Sequence, residues 1–128
     1  MKKIIISLFS LLCIVPISSA KDVGVPAQCE DVMLQAFYWD SYRLDKYGKT
    51  IWTNLIKDTA AINANFDLVW LPPSAKGGGV GYYHQCLSDQ NSDWGQKINL
   101  QRLIQGLRAG GTKVIADVVI NHRGNKYS

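Results

Sequence analysis

The sequence predicts an α/β fold in which a parallel sheet carries helices packed outside it. Three observations predict it. Short apolar runs at Val32–Phe37, Phe66–Leu71 and Lys113–Ile120 have the length of buried strands. Two stretches between them carry apolar residues at helical spacing. The resulting order, β-α-β-loop-α-β, is the alternation that requires parallel strands.

The first strand, VMLQAF, is apolar and flanked by polar residues, which predicts burial on both faces. A polar loop beginning at Trp39-Asp40-Ser41 runs to about Lys49. Thr50 is placed to cap a helix bearing Trp52, Leu55, Ile56 and Ile62, and Asn63 to Asn65 closes it. FDLVWL forms the second strand and stops at Pro72-Pro73, because proline lacks the amide a central strand donates. A long loop, Ser74 to Lys97, follows; loops of that length inside compact domains usually serve function. Asn99 is the expected cap of a second helix with Leu100, Leu103, Ile104 and Leu107 on one face, ended by Gly110-Gly111. The third strand, Lys113 to Ile120, ends in Asn121-His122.

Of the 128 residues, the first twenty read as an export signal. Lys2 and Lys3 precede an apolar run from Ile4 to Ile17, and Ser18-Ser19-Ala20 offers a small-residue cleavage site. The run is short for a membrane span and contains Pro16, so no stable membrane insertion is expected. Cys13 follows Leu12, where lipid attachment requires a small side chain. The expected mature domain is 21–128, exported to periplasm, cell surface or medium.

Without Lys2 and Lys3 the chain has 12 basic and 10 acidic residues. That near balance gives no footing for nucleic acid. Cys29 and Cys86 are a single pair, which is no disulfide framework, and pairing and free thiols both stay open. The chain reaches Ser128 just beyond a strand-like run, which reads as an interruption.

In parallel α/β folds chemistry gathers at the carboxyl ends of the strands, and all the polar clusters named above fall there. Asp117 lies within VIADVVI, where an unpartnered carboxylate is costly, and no partner is evident in the chain. Strand alternation points Asp117, Val119 and Asn121 to one face. Asn121 offers a hard carbonyl oxygen of the kind calcium takes, although an isolated asparagine is more commonly a turn residue. His122 can serve as base, metal ligand or donor to a substrate; His84 is too distant in sequence for a zinc helix. Tyr82-Tyr83, after Gly77-Gly78-Gly79-Val80-Gly81, present flat faces that suit sugar stacking or local packing. The glycine spacing fails a dinucleotide fingerprint, and Gly48-Lys49-Thr50 lacks the first glycine and the strand of a phosphate loop.

Together these segments resemble the α-amylase family of glycoside hydrolases. DVVINH is similar to that family's first signature on the third barrel strand. VMLQAFYWDS resembles its first strand, and FDLVWLPPSAKGGGVGYY its second strand and loop. SDQNSDWG and the helix after it fit the approach to strand three.

The resemblance implies that the chain is the amino-terminal portion of a (β/α)8 TIM barrel, about three strands and two helices, not closed within this chain. It implies retaining hydrolysis of α-1,4 bonds in starch, glycogen or maltooligosaccharides, with calcium as a structural ion. By the same resemblance Asn121 is a calcium ligand, His122 hydrogen-bonds the sugar at the cleavage subsite, and Tyr82 stacks beneath it. Asp117 is then a structural aspartate whose cationic partner lies on a later strand.

The family's catalytic carboxylates sit after later strands, so none is expected here, and Asp40, Asp89 and Asp93 match none of those signatures. The chain alone is therefore expected to be inactive and, with open sheet edges, aggregation-prone. His84-Gln85-Cys86 departs from the family pattern, which puts the loop's shape in question. Two rival readings remain. One is another reaction of the family, such as transglycosylation, isomerisation or oligosaccharide hydrolysis. The other is a non-catalytic glucan-binding remnant using Tyr82, Trp94 and His122.

Overall fold

A computed structural model describes residues 29–124, so the expected signal segment at 1–20 lies outside the described residues. The elements are β1 (Met33–Gln35), α1 (Ile51–Asn65), β2 (Leu68–Leu71), β3 (Lys76–Gly78), β4 (Tyr83–Cys86), α2 (Lys97–Ala109) and β5 (Lys113–Ala116). β1, β2 and β5 form a parallel sheet with β2 in the middle, in the register Leu34–Val69–Val114.

The face bearing Leu34, Val69 and Val114 packs on a core that includes Trp52 and Ile62 of α1 and Leu100, Leu103 and Leu107 of α2. The expectation that the first strand is buried on both faces is not met. Met33 is 50% and Ile115 38% exposed, because the helices cover one face while, among the described residues, the other is covered at its carboxyl end, where Phe37 packs on Trp70 and Trp94.

Elements shorten where their partners end. The third strand was expected to reach Ile120, but β5 stops at Ala116. β2 ends at Leu71, whose carbonyl accepts the Asp117 amide at 3.3 Å, and Pro72 follows with no N–H to continue the ladder. Thr50 does precede α1, yet its hydroxyl lies 3.1 Å from the Thr53 hydroxyl and caps no backbone amide. α2 begins at Lys97, ahead of Asn99; the Asn91 side-chain oxygen accepts the Lys97 amide at 3.1 Å and serves the helix start.

Ser74 to Lys97 is not a plain loop. Lys76–Gly78 and Tyr83–Cys86 form an antiparallel hairpin around a tight turn at Gly79–Gly81. Glycine is required in it at Gly81, where φ is +95° and a Cβ would run into the Pro73 carbonyl oxygen. Cys29 and Cys86 are both free thiols.

The two helices are tied by one amide. Asn63 donates from Nδ2 to the Gly106 carbonyl at 3.1 Å and accepts from the buried Thr112 hydroxyl at 2.7 Å. Asn63→Ala removes both bonds, and a cost of about 1–3 kcal/mol is expected as a lowered urea midpoint at unchanged slope.

Asp45 braces the loop before α1, accepting the Lys49 and Tyr47 amides at 2.8 Å each and the Asn54 side chain at 3.1 Å. The Lys49 amide does most to hold this carboxyl below its ordinary 3.8. Its stabilising contribution is thus complete above the unfolded value and lost as pH falls through the depressed one. Asp45→Asn is expected to lower stability at neutral pH and to flatten the acid limb of a pH–stability curve.

Candidate functional site

The carboxyl ends of β1, β2 and β5 deliver three segments to one place. Tyr38 and Trp39 follow β1, the hairpin follows β2, and Asp117 to His122 follow β5. Tyr82 is the hub. Its hydroxyl donates to Asp117 Oδ2 at 3.0 Å, and its ring stacks on Trp39 with centroids 5.8 Å apart and planes 19° apart. His122 Nε2 lies 3.0 Å from the Tyr82 carbonyl oxygen. A carbonyl only accepts, so Nε2 carries a proton, and in the neutral ring Nδ1 is then an acceptor. The His122 ring leans on Tyr83, centroids 5.3 Å apart at 45°.

Asp117 therefore has a hydrogen-bond partner inside this chain, where the sequence makes none evident. The partner was hidden because Tyr82 stands 35 residues away and meets Asp117 only once the hairpin folds back. Partial burial acts first to push the Tyr82 phenol above its ordinary 10.0, and the hydrogen bond to Asp117 and its negative charge add to it. The phenol stays protonated at neutral pH and keeps donating.

The tail after β5 runs along the hairpin, where the Gly124 amide donates to the His84 carbonyl at 3.0 Å. Between them lies a cleft of about 360 Å3 lined by Pro73, Ser74, His84, Gln90, Asp117 and Val119. His84 is buried in it, and its Nδ1 has no hydrogen-bond partner.

Tyr82, Asp117 and His122 are thus brought together. Asn121 is exposed beside them. Calcium takes six to eight oxygens. Among the described residues no three His, Cys, Asp or Glu side chains come together around a metal position.

Trp94 does not join the aromatic surface. It is 1% exposed, packs edge-on against Phe37 and Tyr42, and donates its indole N–H to the Val80 carbonyl at 2.8 Å. Trp39, 69% exposed, takes that place. In the sequence it stands only within a polar cluster, and the signal for it is an aromatic residue beyond a strand's carboxyl end. Asp89 is engaged by the Asn91 amide and side chain and by Lys76 at 3.5 Å, while Asp40 and Asp93 are exposed.

A parallel β-α-β sheet with its polar groups gathered at the strands' carboxyl ends is the architecture of a (β/α)8 barrel, present here in part and not closed. Among solved structures the chain is similar to that of the MutB E254Q mutant in complex with the substrate sucrose. The TM-score is 0.62 at 25% identity, over 78% of this chain and 18% of that one. It is 34% identical over 107 residues to probable alpha-amylase 2 of Arabidopsis thaliana, covering 80% of this chain and 24% of the relative. It is 35% identical over 106 residues to an alpha-amylase of Aeromonas hydrophila, covering 79% and 20%. No family model matches. The chain belongs to the α-amylase family of glycoside hydrolases. It spans between a fifth and a quarter of the length of these two curated relatives. No described helix is long and apolar enough to cross a membrane.

Proposed function

We propose that this chain is the amino-terminal part of an exported α-amylase that cleaves α-1,4 bonds in starch-like glucans with retention. The observation that carries the reading is the fixed Tyr82 ring, tied at its hydroxyl by Asp117 and at its backbone by His122. In the proposed role its face lies beneath the sugar at the cleavage subsite, and His122 Nδ1 accepts a sugar hydroxyl. Asp117 holds the tyrosine, and Asn121 gives calcium one oxygen ligand. The export signal at 1–20 supports a periplasmic, surface or extracellular location.

A retaining glycosidase requires two carboxyl groups about 5 Å apart. Asp89 is committed to Asn91 and Lys76, so the chemistry is assigned to carboxylates of the complete gene product outside these residues. The residues here bind and orient. The test is starch hydrolysis by the complete gene product, with the anomer released followed by NMR and His122→Ala as a binding-impaired comparison. Release of the α-anomer supports the reading; absence of activity on every α-1,4-glucan overturns it.

A second reading, action on short oligosaccharides, is favoured by the similarity to a protein whose substrate is sucrose. Turnover of sucrose or maltose in preference to starch would establish it.

A further inference from the structure

Among the described residues Val80 is the only one other than glycine with positive φ, at φ 50° and ψ 41°. A β-branched side chain is disfavoured in that left-handed conformation, because its branched Cβ crowds the adjoining backbone. It sits between Gly79 at φ +55° and Gly81 at φ +95°, positions where glycine is at ease. Something outside the turn must therefore hold Val80. The Trp94 indole N–H reaches its carbonyl at 2.8 Å, from a side chain wedged against Phe37 and Tyr42. Two residues on stands Tyr82, whose own amide closes the turn on the Gly79 carbonyl at 3.1 Å.

We propose that Trp94 and Val80 form a clamp that positions Tyr82. The buried indole holds the Val80 carbonyl, fixes the strained turn, and so aims the Tyr82 ring at Trp39 and its hydroxyl at Asp117. Trp94 is a positioning residue that acts through backbone and touches no sugar. The substrate consequence rests on the reading that Tyr82 carries the sugar; the placement of Tyr82 does not.

Trp94→Phe keeps a packed ring and deletes the N–H. Freed, Val80 relaxes toward negative φ and Tyr82 turns with it. Val80→Gly tolerates the left-handed conformation unaided, so it should rescue Trp94→Phe, which no purely packing role for Trp94 would allow. The experiment uses the complete gene product in four forms: wild type, Trp94→Phe, Val80→Gly and the double variant. Two quantities are read. One is the alkaline absorbance titration of Tyr82, isolated by difference against Tyr82→Phe. The other is kcat/KM on maltoheptaose.

Trp94→Phe is expected to bring the Tyr82 titration down toward that of an ordinary tyrosine and to lower kcat/KM roughly 5- to 30-fold, mainly through KM. The double variant is expected to recover the titration and to come within about twofold of Val80→Gly, the cost of a left-handed β-branched residue being absent. A titration unchanged in Trp94→Phe, or not recovered in the double variant, overturns the clamp. A recovered titration in a protein inactive on glucans supports the clamp and sinks the amylase reading. Should Trp94→Phe fail to fold, recovery of folding in the double variant supports the clamp and its absence overturns it.

Discussion

Trp52→Ala should destabilise the domain by about 3–5 kcal/mol, the range for truncating a fully buried aromatic. Trp52 is 0% exposed, lies in the core shared by both helices and the sheet, and touches Gly95, where a Cβ would meet its ring. The cavity could not close cheaply, since α1 is tied to α2 through Asn63. The conservative variant separates packing from polarity. The Trp52 indole N–H is buried with no partner, so Trp52→Phe loses ring area but also removes an unsatisfied donor. Its cost is expected to be well under half that of alanine. Urea midpoints of the two variants and wild type check this, and equal losses would mean that the indole N–H is satisfied in solution.

The second large effect falls on function. On the proposed reading, Tyr82→Ala in the complete gene product is expected to lower kcat/KM on α-1,4-glucans about 100-fold, because it removes both the proposed stacking face and the alignment that a fixed ring imposes. Tyr82→Phe keeps the ring and strips the donor from a half-buried carboxylate, which water can partly satisfy. A loss of about tenfold or less is expected there. The two also differ with pH. The Tyr82 phenol is raised above its ordinary 10.0 by burial and by Asp117. Stability from that pair is complete below the unfolded value and lost as pH rises through the raised one. Tyr82→Phe should therefore flatten the alkaline limb of a stability curve. A steady loss at all pH values would show that the hydroxyl contributes nothing through Asp117.

Much of this was legible in the residues. Periodicity located both helices and all three parallel strands, since alternation and helical spacing are local properties of the chain. The ends were less legible. β5 fell short of Ile120 because its partner strand β2 ends at Leu71, just before Pro72, and α2 starts with help from Asn91, six residues before Lys97. The hairpin at Lys76–Cys86 escaped because its glycines carry no apolar alternation. Tyr82 and His122 could be singled out by residue type and neighbourhood. That Tyr82 meets Asp117, and that Trp39 rather than Trp94 is the exposed ring, depends on long-range pairing that no local pattern encodes.

The residues that gather around Tyr82 from the carboxyl side do not belong to regular structure. From Asp117 to Gly124 the backbone leaves the sheet and is fastened by few bonds, among them His122 to the Tyr82 carbonyl and the Gly124 amide to His84. Such a strap should open far more readily than Val69 or Leu103 in the interior. Its amides are then expected to exchange with deuterium before those of the sheet, and a sugar bound at Tyr82 in the proposed role should slow them. Occupancy of the site would be readable as a local brake on exchange, long before the sheet itself gives way.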